Sequence, residues 1–396
     1  MNLSAGKEVV VGLLWHSVAS GNLGVVALTL SQLSIVCQAA RDADVTVRVK
    51  IFGWKLDGAM TAAPGFADVE YIPIDAKSLL VPGSELRKSL SSCSVVLDVG
   101  EGDSFSDIYG FKRLLFLCLT KRAAASRGAA LVLSPQTLGP FASKFNERLA
   151  RWSLANAIRV FARDPMSMEW AMSSLPHERA AEAIDMAFCL PFDRQPKASG
   201  VTKRIGINVS ALLYFGGYGG GNSLGLSLDF KELTHRIVAW ALAVPDAEVW
   251  LIPHVMSRDI PEEDDPTAAR EVQRLYPKVR IAGPFSGPTE AKSFMSGLDF
   301  FTGGRMHACI GAFSSGVPTV PLAYSRKFNG LFRSLEYPIM ADCRVMDLDE
   351  AFDVVVSAFS RREQVAAQVA HGVELARRKL QPYRDAIVEL LRTAGR

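Results

Sequence analysis

The sequence is poor in cysteine, shows no excess of one charge sign and has no long apolar run, and each shortage excludes something. Its six cysteines (Cys37, Cys93, Cys118, Cys189, Cys309 and Cys343) form no CxxC pair and no zinc spacing. Reduced, mostly buried thiols are therefore expected, and no metal site is expected from them. Lys and Arg number 44 against 41 Asp and Glu, a formal net charge of +3. That balance argues against a dedicated nucleic-acid binder, which carries a basic stripe. No apolar stretch approaches the ~20 residues needed to span a bilayer. Met1 to Lys7 lead into a short apolar run and then a polar loop without a small-residue cleavage site, so no signal peptide is expected. A cytoplasmic protein is the expectation. There is also no internal sequence repeat.

What is present is an alternation of short apolar runs with amphipathic stretches, over 396 residues of which 49% are hydrophobic. That length suggests two domains, and the alternation implies parallel sheets. Strands are expected at Val9–Trp15, Val45–Phe52, Val69–Ile74, Val95–Val99, Ala130–Leu133 and Arg159–Ala162. Helices are expected at Leu23–Ala39 and Tyr109–Arg127. The pattern stops between Pro191 and Lys203, a polar stretch bearing proline and glycine. It restarts with strands at Arg204–Val209, Glu248–Pro253, Val279–Ala282, Asp299–Thr302 and Thr319–Leu322. Helices are expected near Leu228–Ala243, Glu290–Gly297, His307–Ser315 and Arg326–Leu335, with one or two long helices from Asp347 to Leu391. The reading is an α/β chain of two doubly wound, Rossmann-like domains facing across a cleft. Residues 1–192 form one domain, 193–203 a linker and 204–396 the other, with ligands at the carboxyl ends of strands.

The sharpest local signal is Thr302-Gly303-Gly304-Arg305-Met306-His307. A strand ends, two glycines allow a tight turn with positive φ and close backbone approach, and a helix begins. A helix start favours an anion, Arg305 adds a planar fork for carboxylate or phosphate, and His307 adds a titratable group. The plainer reading is a glycine turn with an exposed arginine and a capping histidine. One strand later, Tyr324-Ser325-Arg326-Lys327 again opens a helix with two cations. The helix dipole disfavours cations there unless a ligand compensates.

These two segments resemble motifs of the polysaccharide pyruvyl transferase family, a Gly-Arg-x-His turn followed by an aromatic-x-x-Lys loop. Four further segments are similar to it: Gly21-Asn22-Leu23-Gly24, the loop from Gln136 to Pro140, Ala162-Arg163-Asp164 and Asp185-Met186-Ala187-Phe188. The resemblance covers roughly Gly12 to Leu331. It implies a fold like the GT-B arrangement and transfer of pyruvate from phosphoenolpyruvate to two hydroxyls of a sugar, giving a ketal and phosphate. It implies His307 and Arg305 as catalytic residues. Arg163, Lys327, Gly303, Gly304, Asn22 and Asp103 are then the substrate-binding candidates, with no metal and no organic cofactor; His254 joins them only because it ends a strand, and a core or rim histidine is the plainer reading. The partners it implies are phosphoenolpyruvate and a saccharide acceptor, lipid-linked in one version; the charge balance speaks against nucleic acid, and peripheral contact at the inner face of the membrane is a minority reading of the Phe141–Ile158 stretch. Two places depart from the family pattern. Val25 stands where Asp is usual, and Val99-Gly100-Glu101-Gly102-Asp103-Ser104 is more acidic than a plain glycine turn. Both loops are expected on the acceptor side, in the N-terminal domain.

Two rival readings remain at this level. One is a nucleotide-sugar glycosyltransferase, which wants a ribose-binding carboxylate near the second loop; Glu336 is the nearest. The other is a non-catalytic binding partner in polysaccharide assembly. Among lesser segments, Phe215–Asn222 reads as a glycine-rich lid or surface loop, and Glu262-Glu263-Asp264-Asp265 as a solvated turn. Asp103 and Asp107 are candidates for holding sugar hydroxyls. Phe141–Ile158 is amphipathic, best explained by packing on the sheet, with docking at an anionic membrane as the sharper alternative.

Overall fold

Continuous apolar runs form the central strands, because a parallel strand covered by helices on both faces buries every side chain. Val9–Leu14 is buried at all its positions. The computed structural model describes residues 8–55, 69–126, 128–257 and 260–396. Met1–Lys7 and Arg127, on which the N-terminal reading and one expected helix end fall, lie outside the described residues.

Among the described residues, strands β1 (Val9–Leu14), β2 (Val47–Gly53), β3 (Val69–Pro73), β4 (Val95–Asp98), β5 (Ala130–Gln136), β6 (Arg159–Ala162) and β7 (Ala180–Glu182) form one parallel sheet. Its order is β3-β2-β1-β4-β5-β6-β7. Strands β8 (Lys203–Asn208), β9 (Ala247–Leu251), β10 (Arg280–Ile281), β11 (Phe300–Gly303), β12 (Thr319–Ala323) and β13 (Ala341–Asp342) form a second, ordered β10-β9-β8-β11-β12-β13. Both are doubly wound. Strand order reverses between β1 and β4 in the first sheet and between β8 and β11 in the second, the places where ligands bind in such folds. The edge strands β7 and β13 escape sequence reading because they are too short to show a period.

The chain packs as two compact units. One comprises the residues up to Ser20, Leu28–Cys189 and Arg377–Arg396; the other comprises Gly21–Ala27 and Leu190–Ala376. This differs from a division by chain order in three places, each with a physical reason. Gly21–Leu23 pair with the loop after β9: Met256 N–H donates to Gly21 O, Asn22 bridges Val255, and Leu23 N–H donates to His254 O. The end of the Arg362–Gly395 helix packs in the first unit, where Tyr383 is wholly buried and its hydroxyl donates to Gln32 Oε1 at 2.6 Å. The stretch after Leu190 is fastened to the second unit, because Asp193 and Gln195 N–H donate to the Ser293 and Ser296 hydroxyls.

One expectation about apolar length is corrected. The Leu23–Ala43 helix, 21 residues, is long and apolar enough to cross a membrane by length and composition. Of its most apolar window 78% is buried inside the protein, which marks a core helix apolar all round. Thr29, Ser31 and Gln32 break up the run by eye, yet all three are buried. The six cysteines are unpaired and four are buried.

Candidate active site

The helix Met306–Ser314 starts at the switch point of the second sheet. Gly303, the last residue of β11, is in register with Asn208, the last of β8. Arg305 is the N-cap, and its backbone N–H donates to Asn208 Oδ1 at 2.8 Å. The cap carries no side-chain acceptor for the first-turn amides, and the positive end of the helix is there. The glycines do not adopt positive φ, contrary to the sequence reading. Close approach is what requires them: a Cβ on Gly303 would lie 2.6 Å from Asn208 Cβ, and one on Gly304 2.6 Å from Leu213 Cδ1.

The centre of this site is a residue that sequence reading took for part of a solvated turn. Asp265 is fully buried and opens the Asp265–Leu275 helix. Its Oδ1 accepts from Arg305 Nε at 3.1 Å, Arg305 Nη2 at 2.9 Å and Ala211 N–H. Its Oδ2 accepts from the N–H groups of His254 and Val255 and from Asn208 Nδ2. One carboxylate thus gathers the loops after β8, β9 and β11. A run of four acidic residues looks uniformly solvent-facing in a sequence. Only the fold distinguishes the one that turns inward.

Arg305 is less available than a bare fork. Nε and Nη2 are committed to Asp265 and to Glu263 O, which leaves Nη1 to reach a ligand. Burial pulls its pKa down, but Asp265 outweighs this and the net direction is up, so the guanidinium stays charged. His254, 3% exposed, has no hydrogen-bond partner at either ring nitrogen. Burial, then the charges of His307 and Arg305, push its pKa down to about 3. A neutral, unsatisfied imidazole beside a cation is a costly arrangement for the protein alone and a suitable one for a ligand with oxygens.

His16 in the first unit is likewise pushed down to about 3 by burial. An unfolded histidine titrates near ~6.5. Between those values the unfolded chain takes up protons that the folded protein refuses. Stability is then full above pH ~6.5 and falls as pH drops toward 3. By pH ~5 each histidine should cost roughly 2 kcal/mol. The urea midpoint should therefore be lower at pH 5 than at pH 7, with a smaller drop in His254→Gln. An equal drop in the two proteins would refute the assignment for His254.

His307 lies in the helix's first turn, half-buried. Its ring rests on the backbone of the N-terminal glycine motif: a Cβ on Gly24 would come within 2.3 Å of Nδ1 and 2.5 Å of Cγ. The motif and the Val25 loop therefore belong to the unit of Arg305 and His307, correcting their expected place in the N-terminal domain. Asn22 Oδ1 accepts from Gly24 N–H at 2.9 Å, so that oxygen caps the Leu23–Ala43 helix.

In the second basic loop, Lys327 sits half-buried in the first turn of the Arg326–Arg333 helix. Gly303 and Pro321 are in register, so β11 and β12 end side by side. Tyr324 lies close enough to Arg305 to help hold its charge. The glycine-rich loop is a defined turn with positive φ at Gly216, Gly217 and Gly219–Gly221, closed by Asn222 bonds to Leu226. Partial burial and the Glu263 carboxylate push the hydroxyl of its Tyr218 up to about 12, so Tyr218 stands at the rim of the site as a neutral donor. Glu336, the ribose-binding candidate, is an exposed residue paired with His371 at 2.8 Å.

The first unit has its own cluster at the carboxyl ends of β4, β5 and β6. Arg163 is buried, paired with the fully buried Asp185 at 2.7 Å, and donates from Nε to Thr137. Its charge is matched within its own unit. Gly102 has φ +93 and packs 3.2 Å, at a built Cβ, from Arg163 Nη1. Glu101 pairs with Arg113, and Asp103 accepts from the Tyr109 hydroxyl at 3.0 Å. Asp107 ties two loops together, accepting from Ala142 N–H and Asn146 Nδ2 at 2.7 Å.

The model of the polysaccharide pyruvyl transferase family matches residues 38–326, well over half of the chain, and takes in the Gly303–His307 turn; Lys327 lies one residue beyond it. The chain belongs to the polysaccharide pyruvyl transferase family. A curated relative is the amylovoran biosynthesis protein AmsJ of Erwinia amylovora, 23% identical over 322 residues, covering 76% of this chain and 74% of that one. Among solved structures, a UDP-N-acetylglucosamine 2-epimerase described as putative, from Listeria monocytogenes, superposes with TM-score 0.59 at 12% identity, over 97% of this chain and 98% of that chain. Anabaena HepE in complex with UDP and glucose gives 0.56 at 14%, over 96% and 97%. At such identities these likenesses speak for the fold, α/β of the GT-B-like class. The pyruvyl transferase match is what speaks for chemistry.

Proposed function

We propose that this pyruvyl transferase moves pyruvate from phosphoenolpyruvate onto two hydroxyls of a sugar in an extracellular polysaccharide or its precursor. The observation that carries the reading is the pairing of Arg305 and His307 at the start of the Met306–Ser314 helix, beside the buried and unpartnered His254. The family match and the AmsJ relative support it.

In this reading the donor's carboxylate and phosphate are held by Arg305 Nη1, the helix N-terminus and Lys327. His254 stays neutral and offers a nitrogen to one of the oxygens. His307 protonates the methylene carbon, leaving an oxocarbenium-like C2. A sugar hydroxyl attacks C2 and releases a proton to the emptied imidazole. Phosphate then departs from C2. The second hydroxyl closes the ring and gives its proton to the phosphate. One donor and one diol become one ketal and one phosphate.

The glycosyltransferase reading draws on UDP in the structural neighbours, but the exposed, paired Glu336 gives it no ribose contact. Thermal denaturation with added ligand separates the two. Phosphoenolpyruvate at about 100 times its Kd should stabilise the protein by about 2.7 kcal/mol. Stabilisation by UDP and none by phosphoenolpyruvate would overturn the proposal.

A further inference from the structure

The first unit carries an aromatic patch that its core does not use. The helices Phe111–Ala125 and Lys144–Leu154 pack side by side, following β4 and β5. Ala150, Ser153 and Leu154 of the second helix turn inward. Phe145 and Trp152 turn outward, 64% and 45% exposed. Phe111, 45% exposed, meets Phe145 with ring centres 5.9 Å apart, and the exposed Ile108 and Tyr109 precede it in the loop. Sheet packing therefore leaves the aromatic face of this segment uncovered.

The helical side of the patch is basic, while its loop side carries Asp103, hydrogen-bonded to Tyr109, and Asp107, hydrogen-bonded to Ala142 and Asn146. The two helices hold seven basic residues and one acidic residue, Glu147, which is already paired with Arg151 at 2.7 Å. Lys121 and Arg113 are engaged with Asp98 and Glu101. Lys112, Lys144 and Arg148 face solvent, and Arg122 lies over the Trp152 ring at 5.0 Å. Exposed aromatics beside lysine and arginine suit an anionic lipid interface. A protein partner would favour an aromatic patch depleted in lysine.

We propose that this face docks shallowly on an anionic membrane surface, the aromatic rings entering the headgroup layer and the cations meeting lipid phosphates. The loop carrying Ile108 and Tyr109 also carries Glu101 and Asp103, at the carboxyl edge of the first sheet. Docking there brings that edge to the lipid, where a lipid-linked saccharide would lie. That last link rests on the proposed reaction. The docking does not, because it is measured without donor or acceptor.

The test is flotation of the purified full chain with vesicles of phosphatidylcholine alone or mixed with phosphatidylglycerol. The wild type should float only with the mixed vesicles, and less as salt rises. Lys144→Glu/Arg148→Glu should weaken partitioning at least about 25-fold, at roughly fivefold per cation removed. Phe145→Ser should weaken it roughly tenfold. Both variants should melt like the wild type, since these side chains are exposed. Failure of the wild type to bind, or equal binding by the variants, overturns the proposal. So does a wild-type dimer that Phe145→Ser converts to monomer without vesicle binding, which would assign the patch to a second copy of the chain.

Discussion

Alanine at position 307 is expected to slow release of phosphate from phosphoenolpyruvate, in the presence of acceptor, by roughly 10²–10⁴-fold. Donor affinity should change far less. The reason is a division of labour within one turn. In the proposed reaction Arg305 stays charged and bears on binding, while His307 gives a proton to carbon and takes one from a hydroxyl. Truncating Arg305 is the less clean experiment, because it strands the buried Asp265 carboxylate that holds three loops together. Breaking a buried pair in that way costs ~3–5 kcal/mol of stability. Arg305→Lys keeps the charge and loses the fork, so it should raise the KM for phosphoenolpyruvate while the protein stays folded. The reading depends on the histidine: near-wild-type turnover in His307→Ala, measured by phosphate release and product mass, would sink it.

Gly24→Ala should be almost as damaging, although the change is one methyl group far from position 307 in sequence. That methyl would lie 2.3 Å from His307 Nδ1, 2.5 Å from Cγ and 2.8 Å from Cβ. The Cβ is anchored to the helix backbone, so the ring cannot simply swing aside; the ring and the helix start must shift together. Displacing a catalytic group by about 1 Å costs on the order of 10²-fold in rate. Helix propensity points the other way, since alanine in place of glycine is worth up to ~1 kcal/mol. Lost turnover with little lost stability is therefore the signature. The control is a double-mutant cycle: once His307→Ala has removed the ring, Gly24→Ala should slow the residual reaction little further. Additive losses would mean that Gly24 acts through something other than the histidine.

The two results together would explain why an N-terminal glycine motif accompanies a C-terminal histidine. Gly21 to Leu23 pair with the loop after β9, and Gly24 then provides the flat surface on which the imidazole rests. Val25 belongs to the same turn, so its departure from the family pattern bears on the unit that holds Arg305 and His307.

Sequence reading captured the elements that repeat a local rule. The central strands β1, β4, β6, β8 and β12 stand out as apolar runs, because burial on both faces leaves no alternation. The Gly-Arg-x-His turn was visible for a similar reason: backbone, cation and acid–base group are adjacent along the chain. The two doubly wound sheets and the helix opening at the second basic loop were legible in that way too. Residues that act across the sheet were not. Asp265 looks like its three acidic neighbours until the loops after β8, β9 and β11 converge on it. Gly24 looks like part of a separate motif until its backbone meets His307. Phe145 and Trp152 look like core positions until the sheet is covered without them. In each case the side chain's role is set by what lies opposite it in space, and a local pattern carries no information about that.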